Sequence, residues 1–210
     1  MKTKLFTVLI LLAGAGFLAY KTTSKKPDGG ISHQGEQRTA KTYRNEQYGF
    51  EVQYPKDFEL ETTGLDSQFS ADQGETLIAV WSLSEPEKKY PNTDLWHAYF
   101  LISTADQQPV DCGKIPGRET DNPTPETINS TNFSRREFGD AAAGTQHFGR
   151  KYSAINGGKC VVLTETVITS GYGAVEGLTQ VDSDAVLAKL HEITKTFKFI
   201  LIHLGSPLLC

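Results

Sequence analysis

Cysteine is scarce in this chain: Cys112, Cys160 and Cys210 are the only three among 210 residues. That is too few for a disulfide-dense scaffold. No two of them stand at the close spacing of a structural zinc site, so a single internal bridge is all they can make. Histidine is limited to His33, His97, His147, His191 and His203, with no His-x-His or His-Glu-x-x-His spacing and therefore no metal-ligand set. Reactive-site motifs are missing as well. There is no Gly-x-Ser-x-Gly elbow and no Ser-x-x-Lys followed by its partners. Gly157-Gly158-Lys159 lacks the earlier glycine and the following Ser or Thr of a phosphate loop, and it fits a hairpin turn better. No catalytic, cofactor-binding or metal-binding residue is assigned, and no cofactor is implied.

Positive charge is short where a nucleic-acid binder would need it. The formal charge of −4 divides unevenly: residues 1–41 carry seven Lys/Arg against two Asp/Glu, and residues 42–210 carry 14 against 23, a balance of −9. Such a surface repels phosphate backbones and anionic headgroups, so nucleic acid is excluded as a partner. At 38% hydrophobic and 22% charged, the composition is that of a globular protein long enough for one well-buried core.

The front of the chain reads as an address. Lys2 and Lys4 precede an uncharged run from Leu5 to Tyr20, and Lys21, Lys25 and Lys26 follow it. As a helix the run would reach about 24 Å against a hydrocarbon core of ~30 Å, a span that lysine snorkelling at both ends can complete. An uncleaved signal-anchor is one reading of residues 1–20. A cleaved signal peptide is the other, with Leu5 to Leu12 as the apolar core and Ala13-Gly14-Ala15 as the small residues a peptidase needs. Leu12-Ala13-Gly14-Ala15 has alanine where a lipoprotein signal carries cysteine, which excludes a lipid at that position. Lysines flank the run nearly equally, so the positive-inside comparison does not fix orientation. The short basic head and the cysteine pair favour the rest of the chain outside the cytoplasm, held at the cell membrane by the N-terminal segment or, if cleaved, secreted or periplasmic.

Residues 21–41 are polar apart from Ile31 and are expected to be a flexible linker. Residues 42–199 are expected to form a single α+β domain, and residues 200–210 a tail. Within the domain, Phe50, Val52 and Tyr54 alternate with Glu51 and Gln53, the period-2 signature of a half-buried strand. Phe58 to Glu61 repeats the alternation beyond Pro55-Lys56-Asp57, which predicts a hairpin or kinked pair. Leu77 to Leu83 and Ala98 to Thr104 are more continuously apolar and read as central strands, with Pro86 to Asp94 as loop between them. His147 to Ile155 and Lys159 to Ile168 flank Asn156-Gly157-Gly158, where an Asn-Gly pair accepts the positive φ angles of a tight hairpin. Asp182 or Ser183 can cap a helix whose Val186, Leu187, Leu190 and Ile193 form one stripe, with Phe197 leading into a short last strand.

Several residues carry chemistry in principle. Cys112 and Cys160, with 47 residues between them, are expected to pair if the chain is exported, stabilising it by ~4 kcal/mol through loop closure. Two reduced, partly buried thiols are the alternative. Cys210, on the last residue, has no partner and does not form a prenylation box. His33 falls in the linker and His203 in the tail, His191 lies beside the polar face of the helix, and His97 and His147 read as ordinary strand or loop histidines. Glu165 with a carboxylate on an adjacent strand would make an acid and base pair, although solvated surface is the simpler fate. Asn129-Ser130-Thr131 and Asn132-Phe133-Ser134 match the glycosylation sequon, a pattern frequent by chance. Gly139-Asp140-Ala141-Ala142-Ala143-Gly144 is either a place of close ligand approach or, more simply, a connection or bulge.

Tyr43-x-Asn45-x-x-Tyr48-Gly49-Phe50-x-Val52-x-Tyr54-Pro55, Asp140-x-x-x-Gly144 and Leu190-x-x-Ile193-x-x-Thr196-Phe197-x-Phe199 occur here in that order. Together they frame residues 42–199, which resemble small bacterial extracytoplasmic domains of unknown function and, more loosely, PsbP-like domains. The resemblance implies a twisted antiparallel sheet with a C-terminal helix packed on it, a membrane or envelope location, and no catalytic residue to carry over. The stretch from Ser103 to Ile128 matches no part of that pattern and reads as long loops. A non-catalytic binding or accessory module of the envelope, with an envelope protein or small ligand as partner, is the first expectation. A hydrolase of unrecognised type acting outside the cytoplasm and a structural envelope component are its rivals.

Overall fold

The structure is a computed structural model that describes residues 40–65, 75–81, 86–105, 112 and 122–200. The apolar N-terminal run, most of the linker, Leu83, His33, His203 and Cys210 lie outside the described residues. The chain forms β1 (Ala40–Asn45), β2 (Phe50–Pro55), β3 (Glu59–Glu61), β4 (Glu75–Trp81), α1 (Pro86–Lys89), β5 (Leu95–Ala105), β6 (Thr124–Ile128), β7 (Thr131–Ala142), β8 (Thr145–Asn156), β9 (Lys159–Ser170), α2 (Ser183–Thr194) and β10 (Lys198–Phe199). The expected α+β class with a helix near the C-terminus is what is seen. The strands make two antiparallel sheets rather than one, a three-stranded sheet in the order β1-β2-β10 and a seven-stranded sheet in the order β3-β4-β5-β9-β8-β7-β6.

β2 buries Phe50, Val52 and Tyr54 while Gln53 stays exposed, as its alternation requires. Of the expected hairpin or kinked pair, the hairpin is not formed, because β2 and β3 do not pair with each other. Pro55 closes a turn by accepting a hydrogen bond from the Phe58 backbone N–H at 3.1 Å, and the chain then leaves the small sheet so that β3 pairs with β4 in the large one. Alternation shows that a stretch is a strand but not which strand it joins. Pro86–Lys89 is a short helix within the expected loop.

The central strand is β9, buried almost throughout. β4 lies next to the edge, and β5 alternates between buried and half-buried residues from Ala98 to Thr104. The β8–β9 hairpin forms, with one adjustment: Asn156 pairs with Lys159, and the positive φ angles of 58° and 79° fall on Gly157 and Gly158. The expected connection at Gly139–Gly144 is mostly strand. β7 runs to Ala142, and only Ala143 and Gly144, with φ of 51° and 82°, make the turn into β8. The expected long loop before Ile128 ends in β6, which survives as an edge strand because Pro125 has no N–H to offer a neighbour on both sides.

Asp182 caps α2, its carboxylate accepting the Ala185 N–H at 3.0 Å, and Val186, Leu187, Leu190 and Ile193 are buried. The helix packs against β9 and β5 of the large sheet and β2 of the small one, so one apolar stripe joins both. Beyond it, Phe197 is fully buried, stacked on Phe50 at 5.6 Å and met edge-on by Phe133 at 5.8 Å. The β6–β7 turn reaches the same junction. Asn129, at φ 44°, donates its side-chain amide to the carbonyls of Lys195 at 2.7 Å and Phe197 at 2.9 Å, which satisfies backbone acceptors just past the end of the helix.

Candidate functional site

Alternation along β9 puts Val161, Leu163, Glu165 and Val167 on the face that meets α2. Glu165 is thus a carboxylate in an apolar row, and it is fully buried. Stripping a carboxylate of water costs several kcal/mol unless donors replace the solvent. They are present. From α2, Thr194 donates its hydroxyl to Oε1 at 2.6 Å, and His191 Nδ1 stands 2.9 Å from the same oxygen. From β8, the Tyr152 hydroxyl lies 3.4 Å from Oε2, and Arg150, directly opposite Glu165 in register, places Nη1 at 3.7 Å. A carboxylate only accepts, so the hydrogen it shares with the imidazole sits on Nδ1.

The network continues outward. His191 Nε2 is 3.6 Å from Glu126 on β6, and Arg135 on β7 meets Glu126 at 3.4 Å and Glu137 at 3.3 Å. Burial, and then the charges of Glu165 and Glu126, push the Tyr152 hydroxyl far above the ordinary tyrosine value and keep it a donor. Two carboxylates, an imidazole and a phenol are the parts of an acid–base set. Glu165, however, has no surface to offer a substrate, and of these four acid–base groups only His191 and Glu126, each 24% exposed at the side chain, reach solvent.

Of the residues singled out from sequence, Glu165 and His191 enter this network, but their meeting was not foreseen, and Thr194, Tyr152, Arg150 and Glu126 were missed as partners. His191, expected beside the polar face of the helix, is half-buried against Glu165. The available signal was spacing: Leu187, His191 and Thr194 fall at i, i+4 and i+7, which places two polar residues on the line of a buried leucine. The His97 ring lies tilted against Trp96 at 5.1 Å, and burial holds its imidazole below the ordinary value, while His147 pairs with Asp140 and Ile168 across the sheet. Neither joins the network.

On the other face of the large sheet, Cys112 and Cys160 are joined, with Cα atoms 5.4 Å apart. Cys160 is the second residue of β9, and the Cys112 carbonyl accepts from Ser153 of β8 at 3.2 Å and Arg136 of β7 at 3.5 Å, so Cys112 is tied to three strands of the large sheet.

An open cleft of about 230 Å³ lies at the far end of β8 and β9. Its walls are the Ala143-Gly144 hairpin tip and the loop that follows β9, and Asp94 lines it. The loop is held by Thr179, which donates its N–H to the Asn92 carbonyl at 2.8 Å, and by Val181, whose N–H goes to Asp94 Oδ1 at 2.8 Å. Among the described residues no group of three or more His, Cys, Asp or Glu could hold a metal ion, and no helix is long and apolar enough to cross a membrane.

These features define an antiparallel α+β domain whose helix is fastened by a buried polar network. No family model and no curated protein matches the chain. Among solved structures, it is similar to one from Bacteroides thetaiotaomicron VPI-5482, with 15% identity over 80% of this chain and a TM-score of 0.46, and it spans about half, 52%, of that chain's length. It is also similar to cyanobacterial PsbP (CyanoP) from Synechocystis sp. PCC 6803, at 14% identity over 83% of this chain and 99% of that one, TM-score 0.44. LpqN of Mycobacterium tuberculosis, described as involved in cell envelope biogenesis, is similar at 11% identity over 77% of this chain and 91% of that one, TM-score 0.43. None of these likenesses assigns a role.

Proposed function

We propose that the chain is a non-catalytic binding or accessory module of the cell envelope, placed on the extracytoplasmic side by its apolar N-terminal run. The Cys112–Cys160 bridge carries this reading, because structural disulfides persist in oxidising compartments and are rare where thiols are kept reduced. The cage around Glu165 supports the non-catalytic part. Its strongest hydrogen-bonding groups are used up inside the protein, holding α2 to the sheet.

Fractionation of cells producing the full chain, with protease access to intact cells and thiol alkylation before and after reduction, tests it. The expected result is a protease-accessible protein in the membrane or extracytoplasmic fraction, with Cys112 and Cys160 alkylated only after reduction. A cytosolic protein with both thiols free would overturn the proposal. The half-buried His191 between Glu165 and Glu126 favours a second reading, a hydrolase using that imidazole as base. Turnover on an esterase, peptidase or glycosidase panel that is lost in His191→Gln would establish it.

A further inference from the structure

The cleft at the hairpin tip has a chemistry of its own. Asp94 lines it while only 4% exposed, and one of its two carboxylate oxygens accepts the Val181 N–H. The other receives no hydrogen bond from any described residue, and it is not among the buried unpaired side-chain atoms, so it is an acceptor open to the cleft. A carboxylate oxygen only accepts, so a ligand meeting it there must bring a donor. Around it the lining residues are neutral, among them Gln146, Thr169 and Gln180, with the Thr145 hydroxyl paired to Ser170 at 3.2 Å. One wall is Ala141 to Gly144, small enough to admit a flat body, and Tyr172 stands at the edge, 58% exposed and free to present a ring face.

The occupant follows by exclusion. An anion would meet the Asp94 carboxylate and no cation, in a domain that is itself acidic. A cation would find one half-used carboxylate. A purely apolar ligand would strand the amides, the hydroxyls and the free oxygen. A neutral ring that carries hydroxyl donors on its rim and C–H groups on its face satisfies all of them. The volume is below the ~300–1,000 Å³ of pockets that enclose drug-sized ligands, which suits a single ring with the rest of the ligand outside. We propose that this cleft binds a neutral sugar ring, with Asp94 accepting from a hydroxyl and Tyr172 covering one face, an inference that rests on the reading of the chain as a binding module.

The test is calorimetry and saturation-transfer NMR on the full chain in lipid nanodiscs, with empty nanodiscs as control. The probes are methyl glucoside, methyl galactoside, methyl mannoside, N-acetylglucosamine, maltose and chitobiose, with inorganic phosphate and acetate as anions. At least one sugar is expected to bind saturably. Tyr172→Ala should weaken that binding about tenfold and Tyr172→Phe should leave it within about twofold, since only the former removes the ring. Ala142→Gln should abolish it by filling the cleft. No binding of any of these sugars up to ~10 mM, binding of the anions alone, or a Tyr172→Ala variant equal to wild type would overturn the inference. Location is read separately: a protein found outside the cytoplasm with its bridge formed, yet inert to these sugars, refutes the sugar site and leaves the envelope assignment standing.

Discussion

Glu165 occupies a position where its row neighbours Leu163 and Val167 are apolar, and its buried charge is tolerated only because four side chains converge on it. Glu165→Gln keeps the shape and removes the charge, so the bonds from Thr194 and Tyr152 lose their charge assistance. A loss of about 1.5–3 kcal/mol is expected in urea unfolding. The same change removes one of the negative charges that raise the Tyr152 hydroxyl, so its titration, followed by tyrosinate absorbance, should move down toward the ordinary value while burial still holds it high. An unchanged Tyr152 titration would show that the two groups do not share a site. Gly149 constrains the same region from β8. An added Cβ there would run into the Glu165 backbone oxygen and come within 2.9 Å of the Phe138 ring, so Gly149→Ala is expected to cost at least ~3 kcal/mol, read as a fall in the urea midpoint. Little of this was legible in the sequence. Glu165 could be named as a carboxylate with neighbours across the sheet, but His191, Thr194 and Tyr152 come from a helix and a strand whose docking no local pattern encodes.

At the scale of elements, legibility followed the range of the interaction. The cap and stripe of α2 and the Gly157-Gly158 hairpin are set within a few residues, and both form. The partners of β2 and β3 and the existence of β6 depend on pairings made elsewhere, and there the sequence misled. The small sheet shows such a pairing in charge. Glu51, on the middle strand β2, faces Arg44 of β1 and Lys198 of β10 directly across the strands, at 3.4 Å and 2.8 Å. The hydrogen bond from Lys198, followed by the charges of Lys198 and Arg44, outweighs partial burial and holds the Glu51 carboxyl below its ordinary value. A carboxyl lowered in the folded state stabilises above its unfolded value of about 4.3, and that contribution is lost as pH falls through the folded value. Glu51→Gln should therefore cost up to ~1 kcal/mol at neutral pH and flatten the acid limb of the stability curve below about pH 4.3, in urea midpoints measured across that range. A variant with an unaltered acid limb would remove Glu51 as a fastener of the sheet. Asn129 clamps the far side of the same junction, and Asn129→Ala, which loses two donors and places alanine at a positive φ, is expected to cost about 1–3 kcal/mol.

For the whole molecule, the bridge between Cys112 and Cys160 constrains the chain more than any single contact, because it closes a separation of 48 residues. In the chain-entropy account a loop of that length removes enough freedom from the unfolded ensemble to stabilise the fold by ~4 kcal/mol. Domains of this size are stable by only about 5–15 kcal/mol in total, so the bridge is a large fraction of the margin. The pairing was anticipated from compartment and count rather than from geometry, since the segment carrying Cys112 has no readable pattern of its own. The constraint acts mainly on the unfolded chain. A Cys112→Ala/Cys160→Ala double variant should therefore keep the near-ultraviolet circular dichroism of the wild type while its urea midpoint falls by the equivalent of ~4 kcal/mol. Reductant should bring the wild type down to the same midpoint and leave the variant where it is. If both proteins instead unfold together without reductant, the two sulfurs are not joined in solution, and the observation on which the envelope assignment rests is lost.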